Sequence, residues 1–150
     1  MRLALYQPDI PQNAGALIRL GACLGVEIDL IEPLGFILDD RRLKRAHMDY
    51  LEHVKIRRHG SWERFLEDRR PGRLVLLTRA AELRYTQFRF ASDDILMLGR
   101  ESAGAPAEVH HRADARIKVP LRHGLRSLNV AIAAAMVLGE ALRQTEGFPP

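Results

Sequence analysis

Three short segments carry the side chains whose types and spacing could do chemistry. Asn13 and Arg19 stand six residues apart early in the chain, and the loop Gly99-Arg100-Glu101-Ser102-Ala103-Gly104-Ala105-Pro106 follows an apolar run. The third, Arg126-Ser127-Leu128-Asn129, opens directly onto nine apolar residues, Val130 to Leu138. A helix that is apolar all round belongs in a core or a subunit contact, so polar groups at its start are candidates for gripping a ligand. A guanidinium, a carboxylate, an amide and a hydroxyl are also groups that orient a reactant and stabilise charge developing on it. Plainer roles exist for each. Ser127 could serve only as a helix N-cap, the Gly99 loop only as a strand-to-helix turn with Pro106 at the first helical position, and Arg19 only as a surface partner of Glu27 or Asp29.

The elements that must position these groups follow from periodicity. Arg2 to Gln7 reads as an apolar strand closed by Pro8 and Pro11, and Asn13 to Leu24 has apolar residues at helical spacing, ending near Gly25. Val26 to Ile31 reads as a second strand, Asp39 to Ala46 as a short basic helix, Val54 to Arg57 as a weak strand, and Ser61 to Arg69 as a helix capped by Ser61. Arg73 to Thr78, Asp94 to Leu98 and Ala115 to Val119 supply further strands. The alternation predicts an α/β fold with a mostly parallel sheet flanked by helices. Residues 1–150 are expected to form one domain that buries roughly 70% of the surface its unfolded chain exposes.

Several chemistries are excluded. Gly99 and Gly104 have the spacing of a P-loop, but Ala105-Pro106 stands where Lys and Ser or Thr are needed to hold phosphate and magnesium. None of the 11 glycines forms a Gly-x-Gly pair, so the dinucleotide fingerprint is missing. The 6 histidines lack metal-ligand spacing and there is 1 cysteine, so no metal centre is expected. His110, His111 and His123 fall in predicted connections, where solvated histidines are the default. Cys23, in a Leu-, Ala- and Gly-rich stretch, is read as a core residue and suits a reducing cytoplasm. Nine apolar residues fall far short of the about 20 that span a bilayer, so no membrane partner is expected. The net charge of +4, gathered in clusters such as Arg57-Arg58-His59 and Arg69-Arg70, makes an anionic partner plausible.

Taken together and in this order, the three segments resemble the SPOUT superfamily of RNA methyltransferases, most closely its small tRNA 2'-O-methyltransferases acting on the wobble nucleotide. The resemblance runs from Leu5 to about Arg143. It includes Tyr6-Gln7-Pro8-Asp9-Ile10-Pro11-Gln12-Asn13, Ile31-Glu32-Pro33-Leu34-Gly35-Phe36, Asp49-Tyr50, the Gly99 loop, and Ile117-Lys118-Val119-Pro120 leading to Ser127-Leu128-Asn129. Arg100 stands where the family commonly has proline, Leu98 where it has phenylalanine, and His47 where it has glycine. The resemblance implies a C-terminal deep trefoil knot, which no periodicity reveals, and S-adenosylmethionine as methyl donor. It implies transfer to the ribose 2'-hydroxyl of cytidine or uridine 34 in a tRNA anticodon loop, with leucine tRNAs as the expected substrates, by a cytoplasmic homodimer.

By position, the resemblance makes Asn13, Arg19, Glu101, Ser127 and Asn129 catalytic, and has Leu77, Thr78, Gly99, Val119, Pro120, Ser127 and Leu128 line the cofactor pocket. Gly99 is expected to let the backbone approach the cofactor. Arginine is a demanding general base because its pKa exceeds 12, so Arg19 is read as a charge that orients phosphate or stabilises a developing alkoxide. Two rivals share the scaffold: a methyltransferase of ribosomal RNA ribose, and a non-catalytic RNA-binding module that would have no reason to hold S-adenosylmethionine.

Overall fold

The structure is a computed structural model that describes residues 1–38 and 50–150. The basic helix expected from Asp39 to Ala46, and the motif positions His47 and Asp49, lie outside the described residues. Six strands form one sheet: β1 (Arg2–Tyr6), β2 (Glu27–Ile31), β3 (Ile56–His59), β4 (Leu74–Leu77), β5 (Ile95–Leu98) and β6 (Ala115–Ile117). The order is β3-β2-β1-β5-β4-β6, and every pairing between these strands is parallel. The α-helices among the described residues are α1 (Pro11–Leu24), α2 (Trp62–Asp68), α3 (Ala107–Arg112) and α4 (Val130–Gln144).

A parallel sheet needs helices on both faces, so its strands must be apolar on both sides. β1 and β5 meet that demand: every residue in each is buried. Successive side chains point to opposite faces, which sorts the core into two layers. Leu3, Leu5, Leu30, Val75, Leu96 and Leu98 pack with Leu17 of α1 and Val137 and Leu138 of α4. Ala4, Tyr6, Leu76 and Met97 pack on the other face with Trp62 and Phe65 of α2 and Val109 of α3.

Element boundaries follow local chemistry with a few corrections. α1 starts at Pro11, two residues before the periodic stretch, since proline at the first helical position gives up an N–H that would have no partner anyway. It stops at Gly25, whose φ of 66° closes the last turn. β3 lies two residues later than its apolar signal because pairing with β2, Ile28 to Ile56 through Ile31 to His59, sets its register. Ser61 caps α2 as expected, its Oγ accepting from the Arg64 N–H at 3.2 Å. Pro106 is the residue before α3 rather than its first, and His110 and His111 lie in that helix rather than in a connection. Cys23 is exposed, against the core assignment: the buried stripe of α1 is Ala14, Leu17, Ile18 and Gly21, and Cys23 falls on the far side of the helix.

The chain lays down β1, β2 and β3 outward in one direction, then crosses to the other side of β1 for β4, β5 and β6. The direction reverses between β1 and β5. In open α/β sheets, such a switch point leaves a crevice at the carboxyl ends of the strands, where ligands bind.

Candidate active site

A cleft of about 700 Å³ opens at that place. Its walls come from the residues that leave β1, β4, β5 and β6, together with the entry to α4. Asn13, Leu77, Thr78, Gly99, Glu101, Val119, Ser127, Leu128 and Asn129 all line it, so segments more than a hundred residues apart converge as expected. Pro120 and Arg19 stand outside the lining.

The junction between the first and last segments is a direct bond. Asn129 Nδ2 donates to Asn13 Oδ1 at 2.8 Å, while its Oδ1 accepts from the N–H groups of Ala131 and Ile132 at 2.8 and 3.3 Å. Asn129, not Ser127, is therefore the N-cap of α4, and the Ser127 side chain is left exposed at the cleft. Both types make good caps; the residue immediately preceding the helix takes the role. The connection before it is held by Arg79, which donates to the Arg126 carbonyl at 3.0 Å.

The Gly99 loop folds back on itself, with Arg100 and Gly104 exchanging N–H···O bonds at 3.1 and 2.9 Å. A Cβ on Gly99 would lie 2.5 Å from the Ala105 nitrogen and 2.6 Å from the Gly104 carbonyl carbon. Glycine is thus required there by the loop's own return, a role separate from the expected backbone approach to a ligand. Arg100, in the place of the family's proline, donates from Nη2 to Gln7 Oε1, tying this loop to the end of β1.

Glu101 and Asp9 face one another across the same gap. Asp9 N–H donates to Glu101 Oε2 at 3.0 Å, Glu101 N–H donates to Asp9 Oδ1 at 3.1 Å, and Ser102 Oγ–H donates to Asp9 Oδ2. Hydrogen bonding from Glu101, then from Ser102, holds the Asp9 carboxyl down at about 2. Burial, then the bond to Asp9, pushes Glu101 above the ordinary carboxylate range. Two carboxyls so close titrate as a pair, not independently.

Among the described residues Arg19 forms no ion pair with an acid, Glu27 and Asp29 included. Its Nη2 donates to the Tyr50 hydroxyl at 3.1 Å, with its Cζ 4.6 Å from the ring centroid. Glu27 instead pairs with Arg70 and Lys55, and Asp29 with Arg2 and His59. Arg79 and His110 line the cleft and Asp9 is bonded to its Glu101 and Ser102, yet sequence reasoning gave none of the three a role. Asp9 was visible only as part of a quoted motif, and no local signal marks the other two. Among the described residues, no cluster of His, Cys, Asp or Glu is arranged to hold a metal ion.

The fold and cleft define a parallel α/β protein that receives a small organic ligand at the strand ends, with polar side chains gathered over it. The chain belongs to the SpoU rRNA methylase family, whose model matches residues 1–139. This agrees with the SPOUT resemblance. A tRNA (cytidine(34)-2'-O)-methyltransferase of Beijerinckia indica is 60% identical over 146 residues, covering 95% of this chain and 90% of that protein. A solved structure presented as structural insights into the 2-OH methylation of C/U34 on tRNA is 44% identical, with a TM-score of 0.87 over 95% of this chain and 89% of its own. An AdoMet-bound rRNA methyltransferase from Sinorhizobium meliloti is 28% identical, with a TM-score of 0.84 over 95% of this chain and 55% of its own.

Proposed function

We propose that the protein transfers a methyl group from S-adenosylmethionine to the ribose 2'-hydroxyl of the wobble nucleotide, cytidine or uridine 34, in tRNA anticodon loops. The observation that carries this is the meeting of the Asn13, Gly99 and Ser127–Asn129 segments in one cleft, in a chain 60% identical to a protein of that activity.

The cleft suits the donor. It is large enough for a nucleoside with an amino-acid arm, and apolar Leu77, Val119 and Leu128 alternate in its lining with Thr78 and Ser127. Leu77, Thr78, Gly99, Val119, Leu128 and the adjacent Pro120 would hold it. S-adenosylmethionine supplies a methyl already activated on a sulfonium, so the protein's share is alignment and assistance with one proton. Asn13 and Asn129 fix each other's amides at the mouth, which sets the approach of the ribose. Ser127 offers a hydroxyl to the incoming oxygen, and Glu101 presents a carboxyl to the same cleft. Arg19 provides fixed positive charge for a phosphate or for the developing alkoxide. An anticodon loop fits this arrangement because its unpaired nucleotides can be splayed out and recognised singly.

Arg19 lies outside the cleft of its own chain, and a homodimer resolves this by carrying it to the partner's cleft. Ile132 and Met136 of α4 are 56% and 41% exposed, an apolar face on the helix whose first turn bounds the site. The C-terminal trefoil knot belongs to the same proposal. It is supported by the way the chain leaving β6 runs against the chain leaving β4, with Lys118 N–H bonded to the Leu83 carbonyl and Tyr85 N–H to the Lys118 carbonyl. We place the enzyme in the cytoplasm as one domain spanning residues 1–150; no described helix is long and apolar enough to cross a membrane.

The test is mass spectrometry of anticodon-loop fragments from leucine tRNAs incubated with S-adenosylmethionine, with and without the protein. A 14 Da gain confined to the ribose of nucleotide 34 is the expected result, one methylene's mass for each transfer. Methylation elsewhere, or none, contradicts it.

A further inference from the structure

The cleft residues named so far are assigned to the reactants or the donor; none explains what holds the Gly99–Ala105 loop in place. Asp9 does. Its backbone N–H and both carboxylate oxygens are committed to that loop, through Glu101 Oε2 at 3.0 Å, the Glu101 N–H at 3.1 Å, and the Ser102 hydroxyl. From the opposite side Gly35 presses on it: a Cβ there would come within 2.5 Å of Asp9 Cβ, and Gly35 N–H donates to the Pro8 carbonyl at 3.0 Å. Glu101 lines the cleft together with Asn13, which accepts from Asn129 at 2.8 Å.

We propose that Asp9 is a positioning residue for methyl transfer, whose carboxylate clamps the Gly99 loop to the start of α1 and so sets Glu101 in the cleft beside the bonded Asn13–Asn129 pair. The inference rests on the methyltransferase reading. Among the described residues, the groups facing the Asp9 carboxylate are Glu101 and Ser102; Arg100, the nearest cation in the loop sequence, is turned to Gln7. A carboxylate is needed rather than an amide because both of its oxygens accept, one from the Glu101 N–H and one from the Ser102 hydroxyl. The Asp9 and Glu101 titrations are displaced in opposite directions, as those of neighbouring carboxyls are.

The experiment compares Asp9→Asn, Asp9→Glu and the parent in two readouts. Carbon-13 NMR titration of the Glu101 carboxyl needs no substrate: in the parent it titrates above the ordinary glutamate range, and in Asp9→Asn it falls while burial still holds it above that range. Steady-state kinetics should show kcat in Asp9→Asn reduced by about a hundredfold, the effect of a misplacement on the order of 1 Å. The dissociation constant for S-adenosylmethionine should change by less than about threefold, well within one tenfold step of affinity. Asp9→Glu should recover much of the rate. An unchanged Glu101 titration in Asp9→Asn overturns the clamp, and so does full activity in that variant or a rate loss that Asp9→Glu does not relieve. If the parent itself transfers no methyl, the functional reading fails while the titration still decides whether the clamp exists. Should Asp9→Asn not fold, Ser102→Ala removes one of the two donors to the Asp9 carboxylate; the more basic carboxylate must then raise the Glu101 titration while the rate falls, or the clamp is refuted.

Discussion

Arg19 and Asp9 show how much a single side chain's role depends on partners that its neighbours in sequence do not reveal. Arg19 donates to the Tyr50 hydroxyl and lies over that ring, a contact no neighbour in sequence announces. Arg19→Lys should keep part of the activity, because the charge remains while the planar fork is lost. Arg19→Ala should reduce kcat by about 10²- to 10³-fold, typical of one lost charge-stabilising donor, with S-adenosylmethionine affinity unchanged by calorimetry. Full activity in Arg19→Ala would end its catalytic role. The acid pair makes a pH prediction. Asp9 is lowered from 3.8 to about 2, so its contribution to stability is full above 3.8 and fades as pH falls through about 2. Glu101 is raised, so its contribution is full below its ordinary 4.5 and is lost as pH rises through the higher folded value. Their sum peaks near pH 4. Thermal unfolding of Asp9→Asn and the parent at pH 3, 4 and 7 should differ most at pH 4; a gap that widens toward pH 7 would contradict the assignment. From sequence, Asn13, Glu101 and Asn129 were visible as polar groups at element ends. The Asp9 clamp was not, because it is made with residues 92 positions away.

At the scale of elements, the entry to α4 does two jobs through one residue. Asn129 caps the helix and bonds to Asn13. Asn129→Ala should cost about 1 kcal/mol of stability for the cap alone, measured by denaturant unfolding. Asn129→Ser should restore that stability, since serine caps well, yet leave methyl transfer impaired because its shorter hydroxyl cannot reproduce the amide's link to Asn13. Equal recovery of both would show that only capping matters. Gly99→Ala must displace loop backbone 2.5 Å away and should destabilise by roughly 1–3 kcal/mol, as overpacking does. The strands were legible because a parallel sheet buried on both faces needs continuous apolar runs. Their limits were less so: β3 took its register from β2, and the cap fell on Asn129 instead of Ser127, a choice between two good capping types that only the backbone path decides. Cys23 was misplaced because small residues surround it on every side of α1, leaving composition without a face to assign.

The whole molecule carries the claims that no single chain contains. With Arg19 outside its own cleft and an apolar face exposed on α4, a shared site in a homodimer predicts complementation. Arg19→Ala and Asn129→Ala subunits, each inactive, should regain up to about a quarter of parental activity when mixed and re-equilibrated, because half the dimers then hold one intact composite site. No recovery would mean that Arg19 acts within its own chain. Ile132→Asp should weaken the dimer and cost activity on dilution, followed by sedimentation alongside the assay. The basic surface, net charge +4, should make tRNA binding fall steeply with salt while S-adenosylmethionine binding does not.

All of this depends on distant segments forming one donor site at the switch point of the sheet. Crystals grown with S-adenosylhomocysteine test that most directly. The ligand is predicted in the cleft between the Gly99–Ala105 loop and Val119–Leu128, with its sulfur turned toward the Asn13–Asn129 pair. A ligand bound at any other place, or a crevice that stays closed at saturating ligand, would contradict it.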